Sequence, residues 1–142
     1  MASHNRIQWE GLDELRRQLR ELPTDLRDEA SAIVLEAGQA AEREIDQGYQ
    51  RYQITGALRS GLTLFKSAAT AFGVGVLLRN RAPHAWLFEH GSQTRKTGWY
   101  GSHNPMPARP LFIPIVRKHR ARMYDALKGL LARAGLQVSG DA

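Results

Sequence analysis

Apolar residues in the first third of the chain recur at steps of three and four positions. This spacing places them on one face of a helix, with charged residues between them. Pro23 interrupts the pattern, so the sequence predicts a first helix before it and a longer one that begins near Thr24 or Asp25 and ends near Gly48. The apolar positions are Leu12, Leu15, Leu19 and Leu22 in the first helix, and Leu26, Ala30, Ile33, Val34, Ala37, Ala41, Ile45 and Tyr49 in the second.

After Gly56 the period changes from that of a helix to two. Leu62 and Leu64 alternate with small residues, and the same alternation returns from Phe72 to Leu78. Period two is typical of strands that bury one face. We therefore predict a hairpin, and Gly73 and Gly75 on its other face leave room for a backbone or a partner to approach closely.

The second half of the chain contains one segment of open assignment, one long loop and one helix. His84 to Gly91 fits either a helical turn or a strand, whereas 92–108 is rich in Gly, Ser, Asn and Pro and is predicted as an extended loop. A last helix is predicted from about Ile115 to Ala134, followed by a mobile tail over 136–142. The predicted fold class is α+β, with a small antiparallel sheet packed by a long N-terminal helix and a C-terminal helix.

Length, composition and charge exclude several kinds of site and segment. The 142 residues suit a single domain, and the absence of cysteine excludes disulfides, thiolate metal sites and thiol nucleophiles. No stretch approaches the ~18 apolar residues of a membrane span, and the N-terminus lacks the apolar run of a signal peptide. The formal net charge of +6 fits nucleic acid, an acidic partner or simply a basic surface.

Candidates for catalysis or metal binding are few. His84, Glu89, His90 and His103 are the only such residues close in sequence, but the six-residue step from His84 to His90 aims two ligands poorly at one point. The serines lack a Gly-x-Ser-x-Gly turn, and Glu89 is the only carboxylate between Asp46 and Asp125. We expect no enzyme activity, no metal and no cofactor.

Two basic features suggest partners. The last helix carries a cluster that is either a solvated face or a contact for DNA phosphates or an acidic protein. The long loop combines cations with aromatics, which indicates a subunit or ring interface, a stacking platform for single strands, or a Trp99 that folds back on its own domain. The residues are Arg117, Lys118, Arg120 and Arg122 in the helix, and Arg95, Lys96, Trp99, Tyr100 and His103 in the loop.

Three segments carry a family resemblance. They are Thr55 to Ser60, His84 to Ser92 and Pro107 to Pro114, and their order and spacing resemble the tail-completion, or head–tail joining, family of lambda-like long-tailed bacteriophages. The resemblance covers about Gly11 to Leu131. The positions that carry it are Thr55, Gly56, Leu58, Arg59, Glu89, Gly91, Pro107, Arg109, Pro110 and Pro114.

The motif residues also have structural roles on physical grounds. Gly56 permits a sharp exit from the long helix into the first strand. Glu89 either accepts backbone amides or pairs with Arg59, and the pair Pro107 and Pro110 stiffens the return from the loop so that the last helix starts at a fixed angle.

The resemblance implies a structural virion protein at the head–tail junction, made in the host bacterial cytoplasm. Its expected partners are itself, in a homo-oligomeric ring of six subunits, and the neighbouring connector or stopper and tail-tube proteins. The basic surface then faces the acidic connector or the packaged DNA in the channel. Tail terminator and connector stopper remain alternatives within this reading, and a small basic nucleic-acid-binding module is the alternative outside it.

Overall fold

The computed structural model describes residues 24–52, 56–67, 75–93, 95–96, 102–103 and 105–136, together with Asp13 and Arg17, which are helical. For residues 95–96 and 102–103 only the backbone is described. The predicted helix from Leu12 to Leu22 and the predicted mobile tail lie otherwise outside this part of the chain.

Two long helices form the frame. Helix α1 spans Thr24–Gln50, as predicted, and the last helix, α4, spans Phe112–Arg133. The two helices run side by side in opposite directions. Glu29 near the start of α1 pairs with Arg133 at the end of α4, and Glu44 near the end of α1 pairs with Lys118 near the start of α4. The seam is apolar: Ala30, Leu127 and Leu130 are buried there together.

Helix α4 begins three residues before the predicted Ile115. Pro114 therefore lies in its first turn, where a residue needs no amide donor because no earlier carbonyl of the helix is available to it. The prediction treated Pro114 as a residue that precedes the helix, and this was wrong.

The predicted hairpin is confirmed. Strands β1, Leu62–Lys66, and β2, Val76–Asn80, pair antiparallel with Leu64 opposite Leu78. One face of this sheet packs on α1, and Leu62 and Leu78 contact a core of Ile45, Tyr49 and Phe88. Phe72 and Val74, predicted as part of the second strand, lie outside the described residues.

Two short helices separate these elements. Helix α2, Ala57–Gly61, lies between α1 and β1, so the prediction that Gly56 leads directly into a strand was wrong. Gly56 has φ 71°, a left-handed conformation that suits glycine, and it turns the chain into α2 instead. Helix α3, Ala85–His90, resolves the open assignment of this segment in favour of a helix.

The segment predicted as an extended loop contains a small second sheet. Strands β3, Arg95–Lys96, and β4, Ser102–His103, pair antiparallel, with Arg95 opposite His103. The order is thus α1, α2, β1, β2, α3, β3, β4, α4, and the fold class is α+β as predicted. Among the described helices, none is long and apolar enough to cross a membrane.

Two helical glycines predict opposite effects of the same substitution. Gly129 has no atom within 4 Å of an added Cβ, so Gly129→Ala should stabilise by roughly 0.5–1 kcal/mol through helix propensity. An added Cβ at Gly48 overlaps Leu111 Cδ1, so Gly48→Ala should destabilise by about 1–3 kcal/mol through overpacking. Urea unfolding of both variants checks this, and an equal gain in both would contradict the contact between α1 and Leu111.

Candidate functional site

Glu89 joins the second and third segments of the resemblance. It lies in α3, is only 7% exposed, and accepts three backbone hydrogen bonds from the start of α4. Its Oε2 accepts from the amides of Leu111 at 2.9 Å and Phe112 at 3.0 Å, and its Oε1 accepts from Ile113 at 2.9 Å. Of the two roles predicted for Glu89, the acceptance of backbone amides is confirmed.

This arrangement follows from the chemistry of a helix N-terminus. The first amides of a helix have no carbonyl partner within it, and their aligned dipoles favour a negative charge. A carboxylate with three donors in reach satisfies both needs, and the charge-assisted bonds offset the cost of its burial. Glu89 therefore fixes where α4 begins and how it is oriented against α3.

Arg59 pairs with Asp46 and not with Glu89. Its Nε donates to Asp46 Oδ1 at 2.7 Å and its Nη2 to Asp46 Oδ2 at 2.9 Å, a two-pronged geometry that links α2 to α1. These bonds from Arg59 lower the pKa of the Asp46 carboxyl and raise the pKa of the guanidinium. The alternative pairing with Glu89 was wrong because the oxygens of Glu89 are turned to the start of α4.

The two ends of the 92–108 segment are bonded to each other. Ser92 N donates to the carbonyl of Met106 at 2.9 Å, and Met106 N donates to Ser92 Oγ at 3.0 Å. Gly91 has φ 77°, and a Cβ there would lie 2.7 Å from the Met106 carbonyl oxygen, so this approach requires glycine. The base of the segment is thus held at one place beside α3.

An aromatic cluster connects the same region to the end of α1. The ring of Phe88 meets Tyr49 and Tyr52 edge-on, with centroids 5.6 and 5.3 Å apart. Arg109 lies over the Tyr52 ring at 4.7 Å, and its amide donates to the Phe88 carbonyl at 2.9 Å. Arg109, a motif residue, therefore holds the return segment against α1 and α3.

The predicted loop interface is only partly described. Arg95, Lys96 and His103 lie in the two-residue strands β3 and β4, which places their backbones beside one another. Trp99 and Tyr100 lie outside the described residues, as does Thr55 of the first segment. The interface assigned to these residues stays a prediction.

The basic side chains of α4 differ in their contacts, since some are paired within the molecule and others are exposed. Lys118 forms an ion pair with Glu44 of α1, and His119 Nε2 lies 2.6 Å from the other oxygen of that carboxylate. The hydrogen bond from Lys118 is the largest cause of the lowered pKa of Glu44. Arg117 and Arg122 are exposed and Arg120 is half-buried, so part of the cluster binds within the molecule.

The outer face of the β1–β2 sheet exposes apolar side chains that were not predicted from the sequence. Phe65 and Leu77 are directly opposite each other and are 43% and 55% exposed. Arg79, a neighbour on that face, lies over the Phe65 ring at 4.5 Å. The sequence does contain an indication of this face. Phe65 and Leu77 are apolar at positions of the two strands where the alternation predicts polar residues.

A second exposed aromatic lies on α3. Trp86 is 65% exposed and stacks on His90, whose Nδ1 lies 3.1 Å from the Trp86 carbonyl oxygen. Over the part of the chain that the structure describes, no three histidine or acidic residues lie close enough to hold a metal ion.

Comparison of the chain with protein-family models, with curated proteins and with solved structures finds no match in any of the three.

Substitution of Glu89 tests its role at the start of α4. Glu89→Gln keeps the shape but removes the charge, and it offers only one oxygen to three amides, so it should destabilise the fold by about 1.5–3 kcal/mol. Glu36→Gln is the matched control on an exposed position of α1 and should stay within about 0.5 kcal/mol of the parent. Equal denaturation midpoints for the two variants would contradict the role of Glu89.

The Asp46–Arg59 pair predicts a pH dependence of stability. Because the pKa of Asp46 is lower in the folded state, its stabilisation is present above the unfolded pKa and is lost as the pH falls through the folded one. The difference in unfolding free energy between the parent and Asp46→Asn should be at most about 1 kcal/mol at neutral pH, since both groups are about one-third exposed. The difference should vanish in acid, and a difference that stays constant with pH would refute the assignment.

Proposed function

We propose that this chain is a structural virion protein of a tailed bacteriophage that forms a ring at the head–tail junction. The observation that carries the proposal is that the charged motif residues make their contacts within the molecule. Glu89 holds backbone amides, Arg59 holds Asp46, and Arg109 lies on Tyr52. Residues engaged in this way maintain a rigid frame, which is what a subunit that works by shape needs.

The apolar face of the sheet supports assembly as the purpose of that frame. Phe65 and Leu77 lie side by side on a hairpin whose other face is packed on α1, so their positions are fixed before a partner arrives. Because the two side chains are already about half buried, covering the rest contributes roughly 1.5–3 kcal/mol to an interface. In a ring each subunit offers this face to a different face of its neighbour, and the contacts close around an axis.

The fixed base of the 92–108 segment supports a second contact, with an adjoining ring. Its ends are bonded at Ser92 and Met106, and its interior carries the cations and aromatics assigned from the sequence. The proposed partners are a second copy of the chain, the connector or stopper protein and the tail-tube protein. Tail terminator and stopper both fit this description.

Ring formation should depend on the apolar sheet face. Replacement of Phe65 and Leu77 by serine together should weaken subunit association about ten- to hundredfold, because it removes their exposed apolar area from the interface. Mass photometry and negative-stain images of the full chain, alone and with a tail-tube protein of a long-tailed phage, measure the effect. Ala132→Ser, an exposed change at the far end of α4, is the control and should leave assembly intact.

A monomer at every concentration, also with the tail-tube protein, would contradict the proposal. Binding of random duplex DNA below micromolar concentration with a steep salt dependence would then favour the nucleic-acid-binding module. An unchanged thermal midpoint in the serine variant separates loss of assembly from loss of folding.

A further inference from the structure

An open groove runs between the second half of α1 and the start of α4. It has a volume of about 570 Å³, and its lining comes from these two helices and from the residues directly beside their ends, Arg51 and Leu111. The lining residues are Ala40, Arg43, Glu44, Gln47, Gly48, Arg51, Leu111 and Ile115. None of the motif residues or interface residues discussed above is among them.

One wall of the groove is a row of exposed polar side chains. Arg43 and Gln47 lie one turn apart on one side of α1, and Arg51 follows four residues later, directly after the helix ends at Gln50. The two arginines are about 12 Å apart along the helix axis, from a rise of about 1.5 Å per residue. Neither guanidinium forms an ion pair or hydrogen bond in the described structure, in contrast to Arg59 and Lys118.

The floor and the opposite wall are apolar and small. Ala40 and Gly48 give the groove its depth, and a side chain at Gly48 would overlap Leu111. Leu111 and Ile115 are half-buried and turn part of their aliphatic surface to the opening. Glu44 also borders the groove, but Lys118 and His119 occupy both of its oxygens.

We propose that this groove binds an acidic peptide segment of a partner protein, with carboxylates on Arg43 and Arg51 and an aliphatic side chain against Leu111 and Ile115. Two cations that have no partner among the described residues flank an apolar floor, and they match such a segment in both charge and polarity. A nucleic acid fits less well, because the described lining has no aromatic ring on which a base would stack. The proposal does not depend on ring formation.

A defined peptide tests the proposal. The probe is a fluorescein-labelled peptide of twelve residues, glutamate with leucine at every fourth position, and its binding to the full chain is measured by fluorescence anisotropy. Arg43→Gln with Arg51→Gln should raise the Kd about tenfold, which is the combined effect of two exposed charge pairs. Replacing the leucines of the peptide by serine should also weaken binding, because the aliphatic contact is lost.

The matched control removes the same charge elsewhere. Lys66→Gln with Arg81→Gln changes two exposed basic residues that lie outside the groove lining and belong to no other proposed contact, and it should alter the Kd less than about twofold. Equal weakening by both double variants would show attraction by net charge alone and would overturn the proposal. No weakening by the Arg43 and Arg51 changes would overturn it as well.

Two further measurements distinguish a peptide from a nucleic acid as the ligand of the groove, and binding in the groove from ring formation. If a labelled single-stranded DNA of twelve nucleotides binds more tightly than the peptide, and only the groove variant weakens it, the groove is a nucleic-acid site and the peptide proposal fails. The peptide is also titrated against the chain with serine at Phe65 and Leu77. Retained binding there keeps the groove proposal valid even if no ring forms.

Discussion

The contact between the Glu89 carboxylate and the first amides of α4 fixes the relation between the two halves of the molecule. A buried carboxylate is costly unless donors surround it, and a buried helix start is costly unless an acceptor meets it. Each group here removes the penalty of the other. Helix α4 packs along α1, so the position of the Glu89 side chain determines how the two long helices lie against each other.

The same contact places two of the three surfaces for which we propose a function. It sets Leu111 against Gly48, which forms the floor of the groove, and it holds α3 where the ends of the 92–108 segment are bonded together. The apolar sheet face is fixed separately, through the packing of Leu62 and Leu78 on the core at the end of α1. A rigid frame thus carries surfaces that differ in chemistry, one apolar and one cationic.

Local patterns in the sequence predicted the parts of this fold that local physics decides. The three- and four-residue period identified α1, and the alternation around Leu64 and Leu78 identified the hairpin, because each pattern reflects burial of one face. Short elements were missed. Helix α2 is too brief to show a period, and the left-handed turn at Gly56 fits both a helix and a strand after it.

The partners of charged groups were harder to predict than the elements that carry them. The sequence placed Arg59 and Glu89 in motifs, but which carboxylate meets which donor depends on how α2 and α3 pack on the long helices. The row of Arg43 and Arg51 has a helical spacing, yet it reads as an ordinary solvated face until Leu111 is brought beside it. Recognition surfaces of this kind arise from the packing of distant segments, so the frame determines which of the many charges are available to a partner.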